Sequence, residues 1–213
     1  APVVRWESMR LFLALTVLLS LIPLQLDVDT AYLMADLDEE IYMKPPPGDT
    51  LDENYVYRLN KSLYGLKQAG RNWNQLLDNI IQGYDFMRLD SDHCLYIRNK
   101  GGIIIILFIY VDDLYIAASD KEQLNHFLEY LKGHFKLKIL GIPRQLLGII
   151  LTWGENFKSV HLNATKHVTK LLELYKGQYK SRNVPIDYRE KYLLEDTLKE
   201  TKDHRLTKEE KAM

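Results

Sequence analysis

Residues 103–118 read IIIILFIYVDDLYIAA, and this stretch decides the fold. Residues 103–110 are β-branched and apolar throughout, the pattern of a central strand buried on both faces. Residues 114–118, LYIAA, are a second strand. The link Val111-Asp112, with Asp113 leading into the second strand, is short enough to predict a tight antiparallel hairpin. Two-residue turns favour Asn, Asp or Gly because the backbone there takes positive φ. Val111 breaks that rule, and a rule broken inside an otherwise regular hairpin marks a functional position more often than an accident.

The turn also carries adjacent carboxylates, Asp112 and Asp113, at the end of a very apolar strand. Unpaired, they repel each other and lose solvation. A divalent cation relieves both problems, and Mg²⁺ prefers such hard oxygen ligands together with substrate phosphates. A third carboxylate comes from residues 24–29, where Leu24, Leu26 and Val28 alternate with Gln25, Asp27 and Asp29. That is a half-buried strand with a polar face. Asp27, Asp112 and Asp113 on two strands suit two metals about 3.5–4 Å apart, the arrangement that clamps both oxygens of a phosphoryl transfer.

Working outward, residues 7–21 read as a buried helix that Pro23 stops. Residues 44–50, KPPPGDT, exclude regular structure, and residues 55–59 form a short strand. Residues 67–82 have helical spacing, with Trp73, Leu76, Leu77 and Ile80 on one face. Lys67, Arg71, Asn74 and Asp78 fall on a polar face. Residues 92–98 are a strand and 120–134 a helix on Leu124, Phe127, Leu128 and Leu131. Residues 146–152 and 157–162 make a second hairpin turning at Gly154-Glu155-Asn156, followed by a helix over about 164–176. From about residue 185 the chain is charged and aperiodic, a solvated or disordered segment.

Composition bounds the partners. Twenty-eight basic against 29 acidic residues leave a net charge of −1, less basic than a free-standing nucleic-acid binder. The single cysteine, Cys94, excludes an internal disulfide and fits a reducing compartment. The apolar run 11–24 is too short to span a bilayer and lacks a small-x-small cleavage site, so a core helix outweighs a secretory signal. No membrane partner is expected. A chain that opens on Ala1 reads as a piece of something longer.

The flanking motifs carry a resemblance. Tyr110-Val111-Asp112-Asp113 is the YVDD form of the reverse-transcriptase motif, and residues 26–32, LDVDTAY, resemble the first catalytic motif of those enzymes. Three longer runs resemble copia-type LTR retrotransposon reverse transcriptases: residues 25–47 (QLDVDTAYLMADLDEEIYMKPPP), 59–73 (LNKSLYGLKQAGRNW) and 135–148 (FKLKILGIPRQLLG). The opening APVVR, residues 1–5, also matches. The resemblance spans about residues 1–150. Departures are Gly70, where the family usually has Pro, and Met34-Ala35, where it has Asn-Gly.

The resemblance implies an α+β palm, an antiparallel sheet with helices packed on one face, with partial fingers around residues 60–90. It implies a primer-grip hairpin and the start of a thumb over 151–180, and a charged linker over 181–213. It implies an RNA-directed DNA polymerase using two Mg²⁺, with Mn²⁺ as substitute, held by Asp27, Asp112, Asp113 and the Val28 carbonyl. Tyr32 would lie under the sugar and select dNTPs, with Gly65, Lys67 and Gln68 facing the nucleotide. Tyr110, Val111, Arg71, Leu147 and Gly148 would meet an RNA or DNA template and its primer, and Lys138 would be a general acid. Further Pol segments (fingers, RNase H, integrase) are implied partners, and a cytoplasmic virus-like particle and the nucleus are the implied locations. The near-neutral charge is then the charge of a polymerase piece without its basic fingers, from which weak or no primer extension is expected. Two other readings compete: a catalytically silent remnant of such an element, and a secreted or membrane-attached binding module using Leu11–Leu24 as a signal.

Overall fold

The structure is a computed structural model that describes residues 3–50 and 55–174. The chain divides into two compact units, residues 1–167 and 168–213. The expected charged segment from residue 185, and the end of the last helix beyond Leu174, lie outside the described residues. In chain order the elements open with helix α1 (Trp6–Leu18), strand β1 (Ile22–Val28), the single turn α2 (Ala31–Met34), β2 (Tyr42–Met43) and β3 (Tyr57–Arg58). Helix α3 (Ala69–Gly83), β4 (Met87–Arg88), β5 (Leu95–Lys100), β6 (Ile103–Tyr110), β7 (Asp113–Ala118) and helix α4 (Lys121–Lys132) follow. The remainder is β8 (Leu137–Gly141), β9 (Gln145–Leu146), β10 (Ile149–Trp153), a 3₁₀ turn at Glu155–Phe157, β11 (Val160–Asn163) and α5 (Thr165–Leu174).

Six strands form the main sheet in the order β4-β5-β6-β7-β1-β8. The hairpin read from residues 103–118 is present, with Ile105 opposite Ala118 and Tyr110 opposite Asp113. β6 needs cover on both faces because its side chains alternate between two cores. Ile105, Leu107 and Ile109 join Trp73, Leu77 and Ile81 of α3 and Leu124, Phe127, Leu128 and Leu131 of α4. Ile106 and Phe108 join Met9, Phe12 and Leu13 of α1, with Phe12 edge-on to Phe108 at 4.8 Å. Helices therefore cover both faces, which corrects the expectation of one covered face. A strand apolar at every position leaves no face for water.

Two local corrections have clear causes. α1 ends at Leu18 through paired bonds, Ser20 N–H to Val17 O and Leu21 N–H to Thr16 O, with Ser20 at φ +50°. This left-handed C-terminal cap stops the helix before the proline does. Pro23 instead lies in β1, opposite Ala117. β8 pairs with β1 only from Gln25 onward, so at Pro23 the strand has one neighbour and a missing N–H is tolerated. α1 is also only half covered: Met9, Phe12, Leu13 and Thr16 are buried, whereas Leu11, Leu18 and Leu19 are exposed. No described helix is long and apolar enough to cross a membrane.

α3 begins at Ala69, so Lys67 and Gln68 sit in the turn before it rather than on its face. Asp78, expected on the polar face, is buried. It accepts hydrogen bonds from Tyr96 Oη and Arg88 Nη1, both at 2.9 Å, which satisfy its charge inside the fold. The second hairpin, β10 with β11, is present, but its turn runs past Gly154-Glu155-Asn156 to include Phe157, and β11 starts only at Val160. The expected strand 146–152 is broken by the turn at Leu147-Gly148. Leu146 and Leu151 anchor the hairpin to the α1-side core.

Candidate active site

The site grows from the β6–β7 turn. Val111 has φ +56°, the left-handed region its branched side chain disfavours by about 1–2 kcal/mol. Trp73 holds the turn: the indole is buried in α3 and its Nε1–H donates to Val111 O at 2.9 Å. The strained conformation is thus fixed by a rigid helix, a device that aims the next residue.

The next residue is Asp112, and the register brings the other carboxylates beside it. Asp27 of β1 lies opposite Asp113 of β7. The Val28 amide donates to Asp112 O at 3.0 Å, which locks β1 to the turn. Each carboxylate has its own neighbour. Asp112 Oδ2 accepts from Tyr64 Oη at 3.0 Å, while its Oδ1 is buried without a hydrogen-bond partner. Asp113 Oδ1 accepts from Gln25 Nε2 at 3.0 Å. Asp27 Oδ2 pairs with Lys138 Nζ of β8 at 3.3 Å, and the same ammonium reaches Asp29 Oδ1 at 3.3 Å.

Electrostatics follow from this geometry. Burial pushes the Asp112 carboxyl above the usual carboxylate range. The Tyr64 hydrogen bond opposes that shift, and the charges of Asp27 and Asp113 add to it. Asp113 is raised too, by burial first and then by Asp27, against the Gln25 hydrogen bond. Asp29 is held low by hydrogen bonds from Lys136 and Lys138. Lys138 is held above its ordinary range by Asp29 and then Asp27, so it stays protonated.

Among the described residues no three acidic, His or Cys side chains are drawn together tightly enough to chelate one ion. The donor chemistry nevertheless fits a hard divalent cation. Three carboxylates are adjacent through the register, and one buried anionic oxygen lacks any donor.

Tyr32, in α2, stacks on Tyr64 with ring centroids 4.4 Å apart at 26°. Burial, and then the charge of Asp112, raise the Tyr32 phenol. Sequence reasoning does not single out Tyr64; it precedes Gly65 in the run SLYG, and its partner Asp112 is 48 residues away. Gly65 has φ +102°, a conformation that glycine alone adopts readily. The loop is fixed beneath it by Ser62 N–H to Ala35 O at 2.9 Å and by Lys61 pairing with Asp36 at 2.6 Å.

The other named residues are more scattered. Tyr110 ends β6, opposite Asp113. Lys67 is exposed, and Arg71, in the first turn of α3, is paired with Asp38. Leu147 (φ +47°) and Gly148 (φ +81°) form the two-residue turn between β9 and β10. His167 packs on that turn, with Nε2 3.1 Å from Leu147 O.

Residues 1–188 match the family model for reverse transcriptase (RNA-dependent DNA polymerase). The chain is 37% identical over 178 residues to the retrovirus-related Pol polyprotein from transposon TNT 1-94 of Nicotiana tabacum, covering 82% of this chain and 13% of that one. It is 38% identical over 174 residues to the Pol polyprotein from transposon RE1 of Arabidopsis thaliana, covering 81% and 12%. A putative transposon Ty5-1 protein of Saccharomyces cerevisiae is 36% identical over 133 residues, covering 62% and 43%. The chain thus spans about one eighth of the two plant polyproteins it matches. With an Asp-Asp hairpin turn facing a third strand-borne aspartate, this chain belongs to the reverse transcriptase (RNA-dependent DNA polymerase) family, in its copia-type retrotransposon branch.

Proposed function

We propose that this chain is the palm of an RNA-directed DNA polymerase, adding dNTPs to a primer 3′-hydroxyl on an RNA or DNA template. The observation that carries the reading is the register placing Asp27 opposite Asp113, with Asp112 at the strained turn and one of its oxygens buried and unpartnered. Asp27 and Asp112 would hold two Mg²⁺, or Mn²⁺, with Asp113 and the Val28 carbonyl in support. The bound cations would supply Lewis-acid activation of the 3′-hydroxyl and neutralise the triphosphate.

The chain's own residues do the rest. Trp73 and the Val28 amide fix where Asp112 stands. Tyr32 forms the floor for the nucleotide sugar and selects against a 2′-hydroxyl. Gly65, Lys67 and Gln68 line the approach of the triphosphate, and Tyr110, Val111, Arg71, Leu147 and Gly148 bear on template and primer. As the 3′ oxygen bonds the α-phosphorus and the bond to pyrophosphate breaks, the 3′-hydroxyl proton passes to solvent. Lys138, kept protonated beside Asp29 and Asp27, gives a proton to the leaving pyrophosphate and is reprotonated from water. We further propose partial fingers around residues 60–90, a primer grip and thumb start over 151–180, and a linker over 181–213. Flanking fingers, RNase H and integrase segments of a Pol polyprotein are the proposed partners, and a cytoplasmic virus-like particle and the nucleus the proposed sites of action.

RNA-templated primer extension tests this. Extension with dNTPs that needs Mg²⁺ or Mn²⁺ and exceeds extension with rNTPs is expected, and Tyr32→Val should narrow that preference. Extension that persists in EDTA would overturn the reading, and none under any metal would favour a silent remnant.

A further inference from the structure

Tyr64 occupies a position that the proposed chemistry does not use. Its hydroxyl donates to Asp112 Oδ2 at 3.0 Å, while Asp112 Oδ1 is buried without a partner. A carboxylate left in this state has one oxygen engaged and one oxygen starved of donors, an arrangement that folding does not favour by itself. Both oxygens improve if the carboxylate turns toward a cation and releases the phenol. Release gives up the bond to Asp112 and the hydrogen bond from the Tyr32 backbone N–H to the phenol oxygen, and water can take the place of both. Tyr64 is half exposed, and Gly65 beside it, at φ +102°, has open space where a Cβ would be.

The other face of Tyr64 leads to the nucleotide. Its ring stacks on Tyr32 at 4.4 Å, and Tyr32 is the proposed sugar floor. A ligand that shifts Tyr32 must therefore move or strip away the ring whose hydroxyl holds Asp112.

We propose that the Tyr64 hydroxyl competes with a divalent cation for the Asp112 carboxylate, and that its stack on Tyr32 couples nucleotide arrival to cation capture. The proposal rests on the polymerase reading of Asp112. Tyr64 is a positioning residue: it acts through Asp112 and contacts neither metal nor the reacting atoms. In the nucleotide-free protein it holds Asp112 aside; when a dNTP settles on Tyr32, the phenol leaves and both carboxylate oxygens become available.

The test is Mn²⁺ binding to the full chain, read by electron paramagnetic resonance without primer, so no turnover enters. Tyr64→Phe keeps the stack and removes only the competing hydroxyl. Without nucleotide it should bind Mn²⁺ about three- to tenfold more tightly than the unaltered chain, the scale of one hydrogen bond to a charged group partly open to water. A dNTP should tighten Mn²⁺ binding in the unaltered chain and do so much less in Tyr64→Phe. Tyr32→Leu, which removes the stack and leaves the hydroxyl, should weaken that dNTP effect. Equal or weaker Mn²⁺ binding by nucleotide-free Tyr64→Phe would overturn the competition. Asp112→Asn binding Mn²⁺ as the unaltered chain does would overturn the metal reading itself, and this inference with it.

Discussion

Asp112→Asn should stabilise the folded chain while removing its chemistry, and the size of that gain follows from the site. Asp112 carries its charge among two other carboxylates, with Oδ1 buried and unpartnered. A charged acceptor buried without a partner costs about 1–3 kcal/mol. Asparagine removes that charge and places an amide N–H at the Oδ1 position, a donor to the carboxylates of Asp27 and Asp113. The carboxylate is only part-buried, so solvent screening brings the expected gain to about 1–2 kcal/mol. The asparagine oxygen still accepts from Tyr64, so that bond survives.

The pH dependence has a definite sign. Folding raises the Asp112 pKa, so the folded state prefers the protonated form. The charge penalty is fully present above the folded pKa and fades as pH falls through that value toward the unfolded one. The advantage of the Asp112→Asn variant should therefore be largest at neutral pH and shrink in acid. Thermal denaturation in EDTA measures it: a gain of about 2–8 °C at pH 7 is expected for a chain of this size, with the difference narrowing as the pH falls into the acid range. Unchanged or lower stability at pH 7, or a gain that grows in acid, would refute the reasoning.

Trp73→Phe should lower stability by about 2–3 kcal/mol in urea unfolding, because it leaves a cavity in the α3 core and frees Val111 O. Its loss of extension should exceed that of a core truncation of similar cost away from the turn, such as Leu128→Ala. Gly148→Ala drives a Cβ into His167 Nε2 at φ +81°, so destabilisation of about 1–2 kcal/mol is expected. Adding His167→Ala should relieve the contact but not the backbone strain, which a double-mutant cycle separates. Arg98→Met removes two buried nitrogens, Nε and Nη1, that have no hydrogen-bond partners, and should stabilise by about 1 kcal/mol despite losing the cation–π contact with Tyr84. A loss of stability there would show that the contact with Tyr84 outweighs the orphaned donors.

How much of the molecule is legible in its sequence depends on how local the information is. The β6–β7 hairpin is readable to within one residue, β7 starting at Asp113 rather than Leu114, because an unbroken apolar run, a short link and a second run leave one solution. Asp27 is readable because alternation fixes its face, although its pairing with Asp113 is tertiary. Asp78 is misplaced because helical spacing puts it among polar residues, and its burial is set by Tyr96 and Arg88 arriving from β5 and β4. The position of α1 escapes a sequence reading because its own pattern does not say which face of the sheet it covers. Tyr64 escapes it because glycine and lysine dominate the reading of its loop, and an exposed tyrosine has no local signature of a partner 48 residues away. The end of α1 falls to Pro23 in the sequence because a left-handed serine cap is a backbone event that composition does not reveal.

The most direct measurement is incorporation of a single dNTP on an RNA-templated primer by the unaltered chain and by Asp27→Asn, Asp112→Asn and Asp113→Asn, at equal folded concentration. Metal-dependent incorporation that is lost in Asp27→Asn and Asp112→Asn, and reduced less severely in Asp113→Asn, is expected. Incorporation by Asp112→Asn at the rate of the unaltered chain would contradict a catalytic centre built on these carboxylates.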